Sequence, residues 1–268
     1  MSGRLHRKAT SAALGAYTGV VAFFSALPLL VLIPVSLNSK AVVRLPEDGI
    51  SFQWYVNVFT STTFPQAFVT SGLIALVSTS ASLAIGSVAA WVLTRNRFRG
   101  VAAVEAFLIS PLLLARIIYG VAMLILLTQA GLIRTLPGLI LAHIVIVVPY
   151  VVRIVGSTLI GIPGSLEEAS EVLGANQART FLRVTVPLLL PGLAAAAIFG
   201  FITSFDEFTM SVFLTGPRTM TLPVEIFKYA ELVVNPSVAA ASVMMILGTL
   251  LGALLLEKTV GLERVLKT

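Results

Sequence analysis

Six long apolar stretches constrain this chain more than any other feature. They cover about residues 12–37, 67–93, 101–127, 136–155, 187–208 and 237–256, and a helix needs about 20 mostly apolar residues to cross the hydrocarbon of a bilayer. Backbone polar groups in lipid must be satisfied within the segment or in a closed barrel, and these runs lack the alternation of barrel strands. The expected fold is therefore all-α and polytopic, one transmembrane domain over residues 1–268 with six spans. Only 11% of the residues are charged, against about a quarter in soluble domains, which excludes an ordinary water-soluble enzyme.

The net charge of +6 would suggest nucleic acid in a soluble chain. Here the basic residues sort by side. Arg4, Arg7 and Lys8, then Arg95, Arg97 and Arg99, then Arg153, Arg179 and Arg183, and finally Lys258, Arg264 and Lys267 place twelve of the eighteen on one face of the membrane. By the positive-inside rule that face is cytoplasmic, with both termini on it. The apolar part of the N-terminal segment exceeds the 7 to 15 residues or so of a signal peptide's core, so it reads as an uncleaved first span. Gly15 with Gly19, and Gly248 with Gly252, have the four-residue spacing that permits close helix approach.

Several chemistries drop out. Without cysteine there is no disulfide, thiolate metal site or Cys nucleophile. His6 and His143 are far apart, which rules out a His-rich metal cluster, and no P-loop is present. No cofactor or metal is expected in this chain, and any ATP used must be bound by another polypeptide.

The connection over residues 161–186 is rich in structure signals. Pro163 and Gly164 interrupt the preceding helix, Ser165 and Glu168 have capping-box spacing, Glu167 and Glu168 suit a helix N-terminus, and Gly174 suits its end. The expectation is a helix of two or three turns with Leu166, Ala169, Ser170 and Leu173 on one face. A second short helix near 176–184 would complete an elbow before Pro187. So short a helix is marginal alone; it lies either on its own membrane helices or against a cytoplasmic partner.

Charges at membrane depth are costly and usually face a cavity or a partner. Glu105 is close enough to Arg97 and Arg99 for an interfacial ion pair. Arg116, expected near the middle of span three, is either a structural partner of Asp206 or Glu207 or a pathway residue. Asp206 and Glu207 diverge by about 100° on a helix, so one can line a path while the other pairs. Phe205 and Phe208 offer aromatic faces to a cation. Asp206 is the first candidate for cation contact and Glu207 the second.

Glu168-Ala169-Ser170, Gly174, and Val184, Val186 and Pro187 resemble the EAA loop of binding-protein-dependent ABC importer permeases. That pattern reads Glu-Ala-Ala, three residues, Gly, nine residues, Ile-x-Leu-Pro; Ser170 stands for the second Ala, and Val184 and Val186 for Ile and Leu. The resemblance implies the type I ABC importer permease fold, with a short cytoplasmic coupling helix that presents Glu168, Ala169, Ser170, Gly174 and Ala175 to an ATPase subunit.

Ser204–Phe208, Phe213–Pro217 and Thr221–Phe227 are similar to the second, smaller permease subunit of spermidine/putrescine importers. That likeness implies a non-catalytic subunit of the bacterial inner membrane. Its partners would be a different second permease, two ATPase subunits and an extracytoplasmic solute-binding protein, with membrane lipid around it and no nucleic acid. The implied cargo is polyamine-like. Similar permeases move opines, amino acid derivatives, phosphonates, thiamine or iron, and an anionic solute read by Arg116 is the counter-reading. A membrane-embedded enzyme and a passive channel are the alternatives outside this class.

Overall fold

A computed structural model describes residues 2–47, 49–96, 98–233 and 235–260. Arg97, Arg264 and Lys267, counted above as topological anchors, lie outside the described residues. The described chain is almost entirely helical; one antiparallel bridge joins Asn38 and Ile50. Two compact units are formed, one by the residues up to Thr62 with Lys228–Met244, the other by Thr63–Phe227 with the residues from Met245 onward.

The first unit contains α1 (Ser2–Ser36), α2 (Gln53–Thr60), the end of α11 (Leu222–Leu232) and the start of α12 (Ser237–Val260). In α1 the stretch Leu14–Ser36 is long and apolar enough to cross a membrane, yet little of it is covered: Phe24 is 76% exposed. The loop after it is tied down by polar contacts. Trp54 Nε1 donates to the Asn38 carbonyl at 2.6 Å, and Asn38 Nδ2 donates to the carbonyls of Val42 and Arg44, both at 3.0 Å.

The second unit is built on α3 (Thr63–Arg95), α6 (Leu136–Ile160) and α9 (Val186–Phe205), which pack against one another. Their core includes Ala90, Val147, Val151, Val155, Leu159 and Leu189. Close approach depends on small residues: a Cβ at Gly200 would stand 2.9 Å from Val147 Cγ1 and 3.2 Å from Thr79 Cγ2. α6 begins at Thr135, whose hydroxyl accepts from the Gly138 N–H at 3.2 Å, satisfying one of the orphan donors of a helix start. Gly248 and Gly252 of α12 receive the rings of Phe68 and Phe201, whereas a Cβ at Gly15 or Gly19 would meet nothing within 4 Å beyond the helix's own adjoining backbone.

The third apolar stretch is not one straight helix. It divides into α4 (Val101–Ile109), a 3₁₀ turn over Ser110–Leu112, and α5 (Arg116–Gln129), with an angle of 101° across the break. Pro111 has no N–H to continue an α-helical ladder, the Ser110 hydroxyl turns back to the Phe107 carbonyl at 2.7 Å, and Ala115 is extended. Arg116, expected near mid-span, is instead the first residue of α5. Five continuous helices are long and apolar enough to cross a membrane, and the number is six when the bent pair is counted as one span.

Candidate functional site

The 161–186 connection starts with α7 (Ser165–Val172). The expected capping box does not form. Gly164 precedes the helix, its carbonyl accepts from the N–H groups of Glu167 and Glu168, and no side chain caps the end. Glu167 turns inward and is 9% exposed, while Glu168 and Ala169 are exposed. Gly174 does end the turn, with φ of +90°, a left-handed conformation that costs Gly little and other residues more. Ala175 N–H then bonds to the Ser170 carbonyl at 3.1 Å.

The second part of the elbow also differs from expectation. Asn176 Oδ1 accepts from Arg179 N–H at 2.9 Å and starts α8 (Gln177–Thr180), but no bend follows. A π turn over Phe181–Thr185 carries the chain directly into α9, giving 29 helical residues from Gln177 to Phe205. Pro187 lies in the first turn of α9; its ring would crowd the carbonyl four residues back, and the wider π turn sits where that conflict falls.

Two charged side chains missed at the sequence level hold this elbow. Arg95 Nε lies 3.1 Å from Glu167 Oε2, the Thr185 hydroxyl donates to Glu167 Oε1 at 2.8 Å, and Arg95 Nη2 donates to the Ile162 carbonyl at 2.8 Å. Ser170 is bonded to Thr180 through their hydroxyls at 3.1 Å. Arg95 read only as a topological anchor, and Glu167 as a dipole-matching acid. The available signal was two adjacent acids, which stand about 100° apart around a helix, so that one can turn inward while the other faces solvent.

At the far end of α9 the structure brings Arg116 and Glu207 together and leaves Asp206 apart. Arg116 Nη1 donates to Glu207 Oε2 at 2.6 Å. Glu207 Oε1 accepts from the Met210 N–H at 2.8 Å, so both carboxylate oxygens are engaged just before α10 (Ser211–Leu214). Asp206, which closes the last turn of α9, is exposed and makes no ion pair among the described residues. Arg116 and Glu207 line a small cleft with Tyr119, Tyr150, Thr203 and Met210.

The aromatic candidates lie elsewhere. Phe205 is 2% exposed, stacked on Phe201 at 5.5 Å and edge-on to Phe68 at 5.7 Å. Phe208 packs against Phe227 at 4.9 Å. Neither lines the Arg116 cleft. Glu105 is exposed and makes no ion pair with Arg99 among the described residues.

Behind the acidic turn is a buried polar chain that sequence reasoning also missed. His143 Nδ1 lies 2.8 Å from Ser204 Oγ and Nε2 lies 3.2 Å from Ser211 Oγ, while Ser204 Oγ is 3.0 Å from Ser78 Oγ. The partners of the His143 ring are 61 and 68 residues away, beyond any local motif.

The second unit is thus a bundle of apolar helices with a short elbow at one end of a long helix and an ion pair at the other. The chain belongs to the family described as binding-protein-dependent transport system inner membrane component, whose model matches residues 82–258. It is a non-catalytic permease subunit of an ABC importer. The chain is 31% identical to the spermidine/putrescine transport system permease protein PotC of Haemophilus influenzae, over 86% of this chain and 90% of that one. With the putrescine transport system permease protein PotI of Escherichia coli it shares 29% identity, over 82% and 80% of the two chains. The same fold occurs in a bacterial alginate ABC transporter solved in complex with an alginate pentasaccharide-bound periplasmic protein. There the TM-score is 0.74, at 17% identity over 96% of this chain and 95% of that one.

Proposed function

We propose that this permease imports a polyamine-like organic cation, together with a different second permease, two ATPase subunits and an extracytoplasmic binding protein. ATP-driven closure of the ATPases, received at a cytoplasmic elbow, biases the path between outward and inward openings. Both termini are cytoplasmic in this reading. The names of the two polyamine-system relatives support the cargo, and the periplasmic protein bound to the alginate transporter supports the binding-protein partner.

The observation in the chain itself that carries the reading is the division of labour between two adjacent acids. Glu207 is already neutralised by Arg116, whereas Asp206 is exposed and unpaired among the described residues. A carboxylate that forms no salt bridge of its own, with Arg116 acting on it only through space, is placed at the end of a membrane helix to receive an ammonium group. Glu168, Ala169, Ser170, Gly174 and Ala175 form the elbow surface for the ATPase in the same reading. Of the five, Glu168, Ala169 and Gly174 are exposed, while Ser170 and Ala175 are half-buried.

The test is uptake into proteoliposomes holding the whole assembly, using labelled putrescine and spermidine, with an opine and a phosphonate as competitors. ATP-dependent accumulation of a polyamine supports the proposal. Accumulation of the anionic solute without polyamine competition would replace it with the reading in which Arg116 contacts cargo.

A further inference from the structure

We infer that Glu167 is the positioning residue that fastens the elbow to the membrane helices, so that displacement of α7 moves α3 and α9 together. The inference rests on the importer reading above and concerns how the stroke is passed on.

α7 has eight residues, too few to be stable on local interactions alone. Its outer surface offers little of its own to hold it: Leu166, Val172 and Leu173 are 44%, 87% and 88% exposed. What fixes it is the inward carboxylate. Its two oxygens accept from the side chains of Arg95, the last residue of α3, and of Thr185, in the π turn that opens into α9, while Arg95 Nη2 donates in turn to the Ile162 carbonyl before α7.

The character of this junction suits transmission. Both charged side chains are largely covered, Arg95 at 18% and Glu167 at 11% exposure. A pair removed from water is held strongly because separating it leaves an uncompensated charge. Arg95 engages through Nε and Nη2 at once, a fork that fixes orientation as well as distance. Trp91 of α3 adds a second tie, its ring 5.1 Å from Phe181 in the π turn.

A push on the exposed face of α7 therefore arrives at α3 and α9 simultaneously. α9 is 20 residues long, about 30 Å of helix, and it ends beside Glu207, the partner of Arg116. Glu168, one residue along and exposed, takes no part in this junction.

The test uses the complete assembly in proteoliposomes and a readout that needs no transported solute. The chain has no cysteine, so Thr203→Cys, in the Arg116 cleft, reports opening there through its rate of modification by N-ethylmaleimide, with and without ATP and vanadate. The parent with Thr203→Cys alone is expected to change rate at least fivefold. Adding Glu167→Gln is expected to leave ATPase co-purification and basal hydrolysis intact and to reduce that change to less than twofold. Arg95→Lys keeps the charge but loses the fork, and should give the same loss in a chain that still inserts. It decides the matter if Glu167→Gln does not insert.

A full ATP-dependent change in both variants would overturn the inference. So would loss of ATPase association in Glu167→Gln, which would make Glu167 part of the docking surface instead. An unresponsive parent would overturn the importer reading itself.

Discussion

Arg116 and Glu207 meet at 2.6 Å with very unequal burial, the side chains being 51% and 1% exposed. The acid is the committed partner: one oxygen takes Arg116 and the other takes the Met210 N–H. The pair joins the break between α4 and α5 to the turn after α9. Removing the base while keeping the acid leaves a buried carboxylate without its counter-charge, which typically costs about 3–5 kcal/mol for fully buried pairs. Since half of Arg116 is exposed, Arg116→Ala is expected to cost about 2 kcal/mol, below that range because of solvent screening. Adding Glu207→Gln should restore most of the lost stability. Thermal unfolding of the single and double variants in detergent checks this, and equal midpoints for the two would show that the charge on Glu207 is not what Arg116 compensates.

Asp206→Asn separates cargo contact from structure. The residue is exposed and unpaired among the described residues, and surface substitutions away from packed features usually stay within about 0.5 kcal/mol. Stability should therefore hold, while the KM for putrescine uptake rises about tenfold, the factor expected from about 1.4 kcal/mol of lost interaction. Uptake kinetics alongside the unfolding midpoint decide it; an unchanged KM would remove Asp206 from the path.

Leu173→Asp tests the docking face. Leu173 is 88% exposed beside Val172 at 87%, so a charge there meets solvent in the isolated chain and costs its folding little. Against an apolar ATPase cleft it must be desolvated without a partner, which is expensive. Insertion is expected to be normal and co-purification of the ATPase lost. Retained association would move the interface off this turn.

The contrast among these residues shows which parts were legible from sequence. Long apolar runs and the Gly174 stop depend on local composition and backbone preference, so they could be read directly. The break at Pro111 was obscured because residues on both sides of it are equally apolar, and hydropathy does not register a change of direction. Arg116 accordingly moved from mid-span to a helix start. The sequence leaves Arg116 between an acid partner and a pathway role, and the choice between Asp206 and Glu207 depends on how the chain leaves α9. Arg95 with Glu167, separated by 72 residues, and His143 with its serines depend on tertiary packing that no local pattern carries.

His143 gives the last test, because its neighbours are neutral hydroxyls and not charges. It is 1% exposed, and a neutral imidazole offers one donor and one acceptor, to which the Ser204 and Ser211 hydroxyls can each rotate to respond. His143→Phe fills most of the same volume but removes both ring nitrogens, leaving the Ser211 hydroxyl without its ring partner and the Ser204 hydroxyl with Ser78 alone. That loss is expected to cost about 1–3 kcal/mol. Replacing both serines by alanine in the Phe variant removes the hydroxyls that lost the ring, while Ser78 keeps its bond to the Ile74 carbonyl, and should recover part of the stability despite the small cavities left behind. Ser204 lies in the last turn of α9, three residues before Glu207, and Ser211 begins α10. Loosening this chain should therefore also disturb the turn that presents Asp206, lowering uptake more in His143→Phe than in the triple variant. Unfolding midpoints and uptake rates measured on the same preparations check both halves, and a His143→Phe protein as stable as the parent would mean that packing alone holds the turn.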